Sequence, residues 1–207
     1  MPAMPPPVAD ERQAIRDFLF QQQYAFKALA FGLTDDQARA TPSVSALSVG
    51  ALIKHVTNCQ HGWMQRVASA PEAPHADGRS VEERQAEYRD EFVMKPDETL
   101  AALLERLDAS NDEALQLVET ADLDAAVPVP RDAPWFPKDV DAWSVRWVFF
   151  HMLEELTRHA GQGDVIRESI DGASMYELVA GLEGWPETWW LKPFRPPSIS
   201  DSGSSST

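Results

Sequence analysis

The run from Trp143 to Ile170 constrains this chain more than any other stretch. It reads WSVRWVFFHMLEELTRHAGQGDVIRESI, with no proline and no turn signal before Gly172. Val145, Val148, Phe149, Met152, Leu153, Leu156 and Ala160 recur at helical spacing. At about 100° per residue they form one apolar stripe, so the segment is a long helix with one face committed to a core. Glu155 and His159 are four residues apart and lie together at an edge of that stripe. A carboxylate and an imidazole at a core border are costly to bury unless something pairs them. A divalent cation would do so, because an i,i+4 pair presents two ligands to one ion. The third ligand must then come from another helix.

The rest of the chain supplies the partners for that stripe. Asp10 is placed to cap a helix reaching Phe31, with Ile15, Phe18, Leu19, Phe26 and Leu29 on its apolar side. Gly32 ends it, and Thr34-Asp35-Asp36-Gln37 has the form of a capping box for a short helix ending near Ala40. Ser45 or Ser48 can cap a second long helix, about 46–68, with Leu52, Ile53, Val56, Trp63, Met64 and Val67 inward. A loop from Pro71 to Arg79 follows. The charged stretch from Ser80 to Phe92 reads as a helix or a half-ordered excursion on the surface. Pro96-Asp97-Glu98 opens a third long helix to about Thr120, with a stripe running from Leu100 to Val118. Four prolines between Asp122 and Asp141 exclude regular helix and make a long connection. Ser174 to Leu182 is a short last helix, and Trp185, Trp189 and Trp190 are expected to dock back on the body.

No segment shows the period-2 alternation of a strand. Four long helices with unequal connections predict an all-α four-helix bundle, with a long proline-rich loop and extra short helices. The expected organisation is a disordered N-terminus at 1–8, one helical domain at 9–194 and a disordered tail at 195–207.

Charge narrows the partners. The 207 residues hold 18 Lys and Arg against 33 Asp and Glu, a net charge of −15. Such a surface repels phosphate backbones and anionic membranes, so neither nucleic acid nor membrane is an expected partner. No run approaches the ~20 apolar residues that span a bilayer. The start MPAMPPPVADER lacks a basic n-region and an apolar h-region, and Cys59 is the only cysteine. These features predict a cytoplasmic protein. A homodimer formed through exposed helix faces is an expectation that no stripe specifies.

Three residues from bundle helices sit at core edges: His55, Glu155 and His159. Two imidazoles and a carboxylate suit zinc first, and also nickel, iron or manganese. Three protein ligands would leave a coordination position open to water or to a thiolate. The plainer reading pairs Glu155 with Arg158 or Arg66 and leaves His159 as a hydrogen-bonded edge residue. His151 and Gln162, one turn to either side of the pair, are candidates for groups that support the ligands or line a pocket. Cys59, one turn beyond His55, is a candidate of the same kind, though a buried core thiol explains it as well. Trp135 is placed to pack over the site from the proline-rich loop. His61 and His75 fall away from it. The sequence assigns no catalytic residue.

The segments LSVGALIKHVTNCQHGWMQRV and WSVRWVFFHMLEELTRHAGQGDVIRE together resemble the DinB-like superfamily, and especially its actinobacterial branch of mycothiol transferases. The resemblance covers about 10–172. It implies a four-helix bundle with a divalent metal, whose ligands fall here on His55, Glu155 and His159. Mycothiol-dependent maleylpyruvate isomerases are similar in carrying glutamate at the first position of the late pair. Close relatives often read H-A-G-H-A-D where this chain has His159-Ala160-Gly161-Gln162-Gly163-Asp164, so a histidine role at Gln162 is missing. The resemblance implies a metal-dependent transferase that uses mycothiol as thiol cofactor against small electrophiles. A metal-dependent hydrolase and a stress-related, non-enzymatic binding bundle are the alternatives.

Overall fold

The computed structural model describes residues 4–75, 78–131 and 136–197. Trp135, the first three residues and the serine-rich tail beyond 197 lie outside them. Among the described residues there are seven helices: α1 (Glu11–Ala30), α2 (Asp35–Arg39), α3 (Val49–Ser69), α4 (Val81–Asp90), α5 (Leu100–Thr120), α6 (Val145–Asp171) and α7 (Met175–Leu182). The chain is an all-α fold whose four long helices, α1, α3, α5 and α6, pack as a bundle.

Local chemistry sets where each helix starts. Asp10 accepts a hydrogen bond from the backbone N–H of Gln13, and Ser48 does the same for Ala51. Thr99 caps α5 and Ser144 caps α6 in the same way. Each side chain satisfies an orphan N–H of a first turn. The capping box read at Thr34 and Gln37 is present, and a second joins Ser80 to Glu83. Gly172 ends α6 at φ +78°, a left-handed conformation that costs a residue without Cβ little.

Some boundaries differ from the sequence reading. The cap of α3 is Ser48, so the helix starts at Val49 rather than Ala46. Pro96 does not open α5; Lys95 to Glu98 form a turn, and the helix begins after Thr99. Trp143 precedes α6 and belongs to a strand. Two short strands, β1 (Ala126–Pro128) and β2 (Ala142–Ser144), pair antiparallel with Val127 opposite Trp143. Three-residue strands are too short to write a period-2 pattern, which is why none was legible.

Cross-helix contacts fix the directions. Arg16 of α1 bonds Glu119 and Lys27 bonds Asp108, so α1 and α5 are antiparallel. Glu11 meets Arg146, and the Leu29 carbonyl meets Arg167, so α1 and α6 are parallel. Asn58 meets Arg106 and His61 meets Glu113, so α3 and α5 run the same way. Two consecutive parallel helices need a return the length of the bundle. Residues 70–99 supply it and carry α4.

The core is built from the predicted stripes. Leu19, Phe26, Leu52, Ile53, Met64, Leu107, Phe149 and Met152 are all at most 1% exposed. A buried amide network crosses its centre: Gln23 Nε2 donates to Gln60 Oε1, and Gln60 Nε2 to Ser110 Oγ and Asn111 Oδ1. Arg167 is fully buried and donates to the carbonyls of Leu29 and Phe31 at the end of α1. The expected docking of the tail tryptophans is only partly right. Trp189 is 95% and Trp190 59% exposed, while Trp185, Phe194 and Leu191 make the contact. The indoles follow Pro186 in a non-helical segment.

Candidate metal centre

The antiparallel pairing of α3 and α6 brings three separate residues to one point. One donor atom from each of His55, Glu155 and His159 lies within 4.8 Å of the other two. Two of the three come from the i,i+4 pair, with His159 Nε2 3.4 Å from Glu155 Oε2. The third comes from α3, whose His55 ring meets the His159 ring edge-on at 4.8 Å. Glu155 therefore faces imidazoles and not Arg158 or Arg66, as the plainer reading had it. Its carboxyl is held below the usual range, foremost by the hydrogen bond from His159 and further by the charges of His151 and His55, against the opposing effect of burial.

The donor set fits a divalent ion. Two atoms each ~2.1 Å from a tetrahedral zinc ion lie ~3.4 Å apart, so donors spaced by up to 4.8 Å would have to draw together by about 1.4 Å to share one. His55 uses Nδ1 toward Glu91, which leaves Nε2 to meet a cation. His159 turns Nε2 toward Glu155, and its other nitrogen, Nδ1, is buried without a hydrogen-bond partner.

The surroundings are aromatic. Trp143, Trp147 and His151 stack in a column, at 4.8 Å and 5.0 Å between successive rings. Trp63 of α3 packs edge-on against Trp143 and His151, and Phe136 joins from the connecting loop. The column ends at the carboxylate: His151 Nε2 is 3.8 Å from Glu155 Oε1. His151 thus lies beside the cluster and half-buried, where the sequence had it as a group to support the ligands or line a pocket.

The other expected residues divide. Cys59 is close enough to feel Glu155 and Glu91, and burial foremost, then those charges, push its thiol up to about 12. It stays protonated, as a core thiol does. Gln162 does not reach a ligand carboxylate; its Nε2 donates to Ser45 Oγ at 3.2 Å and ties α6 to the segment before α3. His61 pairs with Glu113 on the far side of α3, and His75 is exposed in its loop. Trp135 lies outside the described residues.

The sequence reading missed the end of the α4 crossover. That segment was expected to be a helix or a half-ordered excursion on the surface; the helix is α4, but its end was not expected to turn inward. Instead Glu91 Oε2 lies 3.1 Å from His55 Nδ1, and the Phe92 ring stacks on His55 at 4.4 Å. Tyr88, one turn earlier, meets His55 edge-on at 6.4 Å. The available signal was Tyr88 and Phe92, two rings four residues apart in an otherwise charged stretch.

A sequence model of the mycothiol-S-transferase family matches residues 14–172, which is more than half of the chain. No functionally curated protein matches. Among solved structures, one titled a conserved protein of locus from Enterococcus faecalis superposes with a TM-score of 0.52 at 17% identity. The match covers 80% of this chain and 100% of that one. At that identity the likeness speaks for the fold alone.

Proposed function

The chain belongs to the mycothiol-S-transferase family, and from that premise we propose that it is a divalent-metal-dependent enzyme joining mycothiol to small electrophiles. The observation that carries this reading is the convergence of His55, Glu155 and His159 from two antiparallel helices. These three would hold the ion, with zinc first among the candidates and nickel, iron and manganese chemically tolerated. The ion would lower the pKa of a thiol that meets it and so supply a thiolate near neutral pH.

The protein's own groups define the rest. Cys59 is held as a neutral thiol, so the attacking sulfur comes from the small-molecule thiol. In the transfer that sulfur forms a bond to the electrophilic atom, and the displaced electron pair leaves with the substrate's leaving group or acceptor oxygen. His151, beside Glu155 and partly open to solvent, is the group positioned to hold or return a proton there. Trp63, Trp143 and Trp147 form an aromatic wall that leads to His151 and so flanks the reacting centre on one side.

Calorimetric titration of zinc-loaded protein with mycothiol tests the reading. Saturable binding that disappears in His159→Ala is expected. A fully metallated protein that does not bind the thiol would remove it. Turnover of an ester or amide that is sensitive to chelator but needs no thiol would favour hydrolysis instead.

A further inference from the structure

The crossover between α3 and α5 is gripped at two consecutive positions. Lys54 is 5% exposed, and its Nζ bonds Asp90 Oδ2 at 3.1 Å, Glu98 Oε1 at 2.8 Å and the Val93 carbonyl at 3.2 Å. A buried lysine needs such partners, because desolvating an unpaired ammonium is costly. Lys95 also holds Asp90, at 2.8 Å. The next residue on each side forms the second contact, His55 with Glu91. Gly50, one turn before Lys54, lets the crossover approach: a Cβ there would stand 2.3 Å from Met94 Sδ and 3.1 Å from the Ala38 carbonyl. The Lys54 grip therefore fixes the strand of chain that presents Glu91, and Phe92 stacked on the ring prevents it from turning.

We infer that Glu91 is a positioning residue for the metal centre, a carboxylate that holds the His55 ring with Nδ1–H inward to itself and Nε2 toward the other two donors. The inference rests on the metal-binding reading of His55, Glu155 and His159. A carboxylate behind a ligand imidazole fixes its tautomer and orientation, and loss of such a partner costs 10–100-fold in metal affinity. Glu91 does this from a helix end that shares no element with the ligands, so the return connection is part of the site.

The test uses the full chain and two readouts. Zinc affinity is measured by competition with a chromophoric chelator, and the His55 tautomer by nitrogen-resolved NMR of the imidazole in metal-free protein at one fixed pH. Glu91→Ala is expected to weaken zinc binding roughly 10–100-fold and to lose the Nδ1–H tautomer. Glu91→Gln keeps an acceptor oxygen for Nδ1–H and should recover most of both. Glu87→Ala removes an equal charge one turn away and should change neither. Circular dichroism confirms that each variant is folded. Unchanged affinity and tautomer in Glu91→Ala would overturn the inference while leaving the metal centre standing. Wild-type protein that binds no zinc, yet shows the Nδ1–H tautomer, would instead overturn the metal reading and with it any tuning by Glu91.

Discussion

Replacing Gln60 by leucine probes what holds α3 in register. Gln60 and Gln23 are each 1% exposed, and the Gln60 amide makes three hydrogen bonds at 2.9–3.0 Å. Leucine fills a similar volume, so the effect is chiefly polar. Gln23 loses its partner, and its Oε1 already has none, which leaves a whole amide buried unpaired. That group costs about 1–3 kcal/mol. Ser110 keeps a longer bond, to the Thr57 carbonyl at 3.4 Å, and Asn111 loses one contact. Those two losses add about 0.5–1 kcal/mol each, for a total near 3 kcal/mol. Urea unfolding should show a lower midpoint at unchanged slope, and Tm should fall by about 6–12 °C. The decisive variant is the double replacement Gln23→Leu with Gln60→Leu. It removes the stranded amide and should be more stable than Gln60→Leu alone. If the double variant is as unstable as the sum of the singles, the network is not what the destabilisation reports. The consequence reaches the metal centre, because a slip of α3 by one turn, ~5.4 Å, would carry His55 out of reach of Glu155 and His159.

Asp164 gives a pH test. Burial foremost, and then Glu168, raise its carboxyl from 3.8 to about 6. The folded state favours the neutral acid, so the penalty is absent below about pH 4, grows as pH rises toward 6 and is constant above. Partial exposure discounts it to about 1 kcal/mol. Asp164→Asn should therefore be more stable than wild type by that amount at about pH 7, with the two converging at about pH 3.5 in thermal melts; equal curves throughout would refute this. Gly181→Ala tests the docking of the tail, because a Cβ there would stand 2.2 Å from the Phe194 carbonyl oxygen. The Phe194-Arg195 bond should become sensitive to chymotrypsin while the helical signal stays unchanged. Cleavage at the wild-type rate would show that the close approach does not matter.

The architecture was legible because its signals are local and repeated. Apolar stripes on four segments, the cap at Asp10, the Ser45-or-Ser48 start of α3 and the break at Gly172 each act over a few residues. The i,i+4 spacing of Glu155 and His159 survives any uncertainty in helix ends, since both lie deep inside α6. His55 was legible as a core-edge residue, but its meeting with the pair depends on the antiparallel packing of α3 and α6, which no local pattern encodes. Glu91 was not legible at all. Its role arises from a return connection forced by two parallel helices, and its own segment reads only as charged. The small β1–β2 ladder and the exposure of Trp189 and Trp190 were missed for a related reason. Each depends on what tertiary packing leaves opposite a short segment, and composition alone does not say.

The account stands on three side chains holding one ion that in turn meets a thiol. Cobalt(II) reconstitution of metal-free protein, followed by titration with mycothiol, reads both steps in one spectrum. Ligand-field bands should appear on cobalt addition and be absent in His55→Ala, Glu155→Ala and His159→Ala. A sulfur-to-cobalt charge-transfer band should then grow and saturate as the thiol is added. Cobalt bound equally well by all three variants, or a fully loaded wild type showing no sulfur band at saturating thiol, would contradict it.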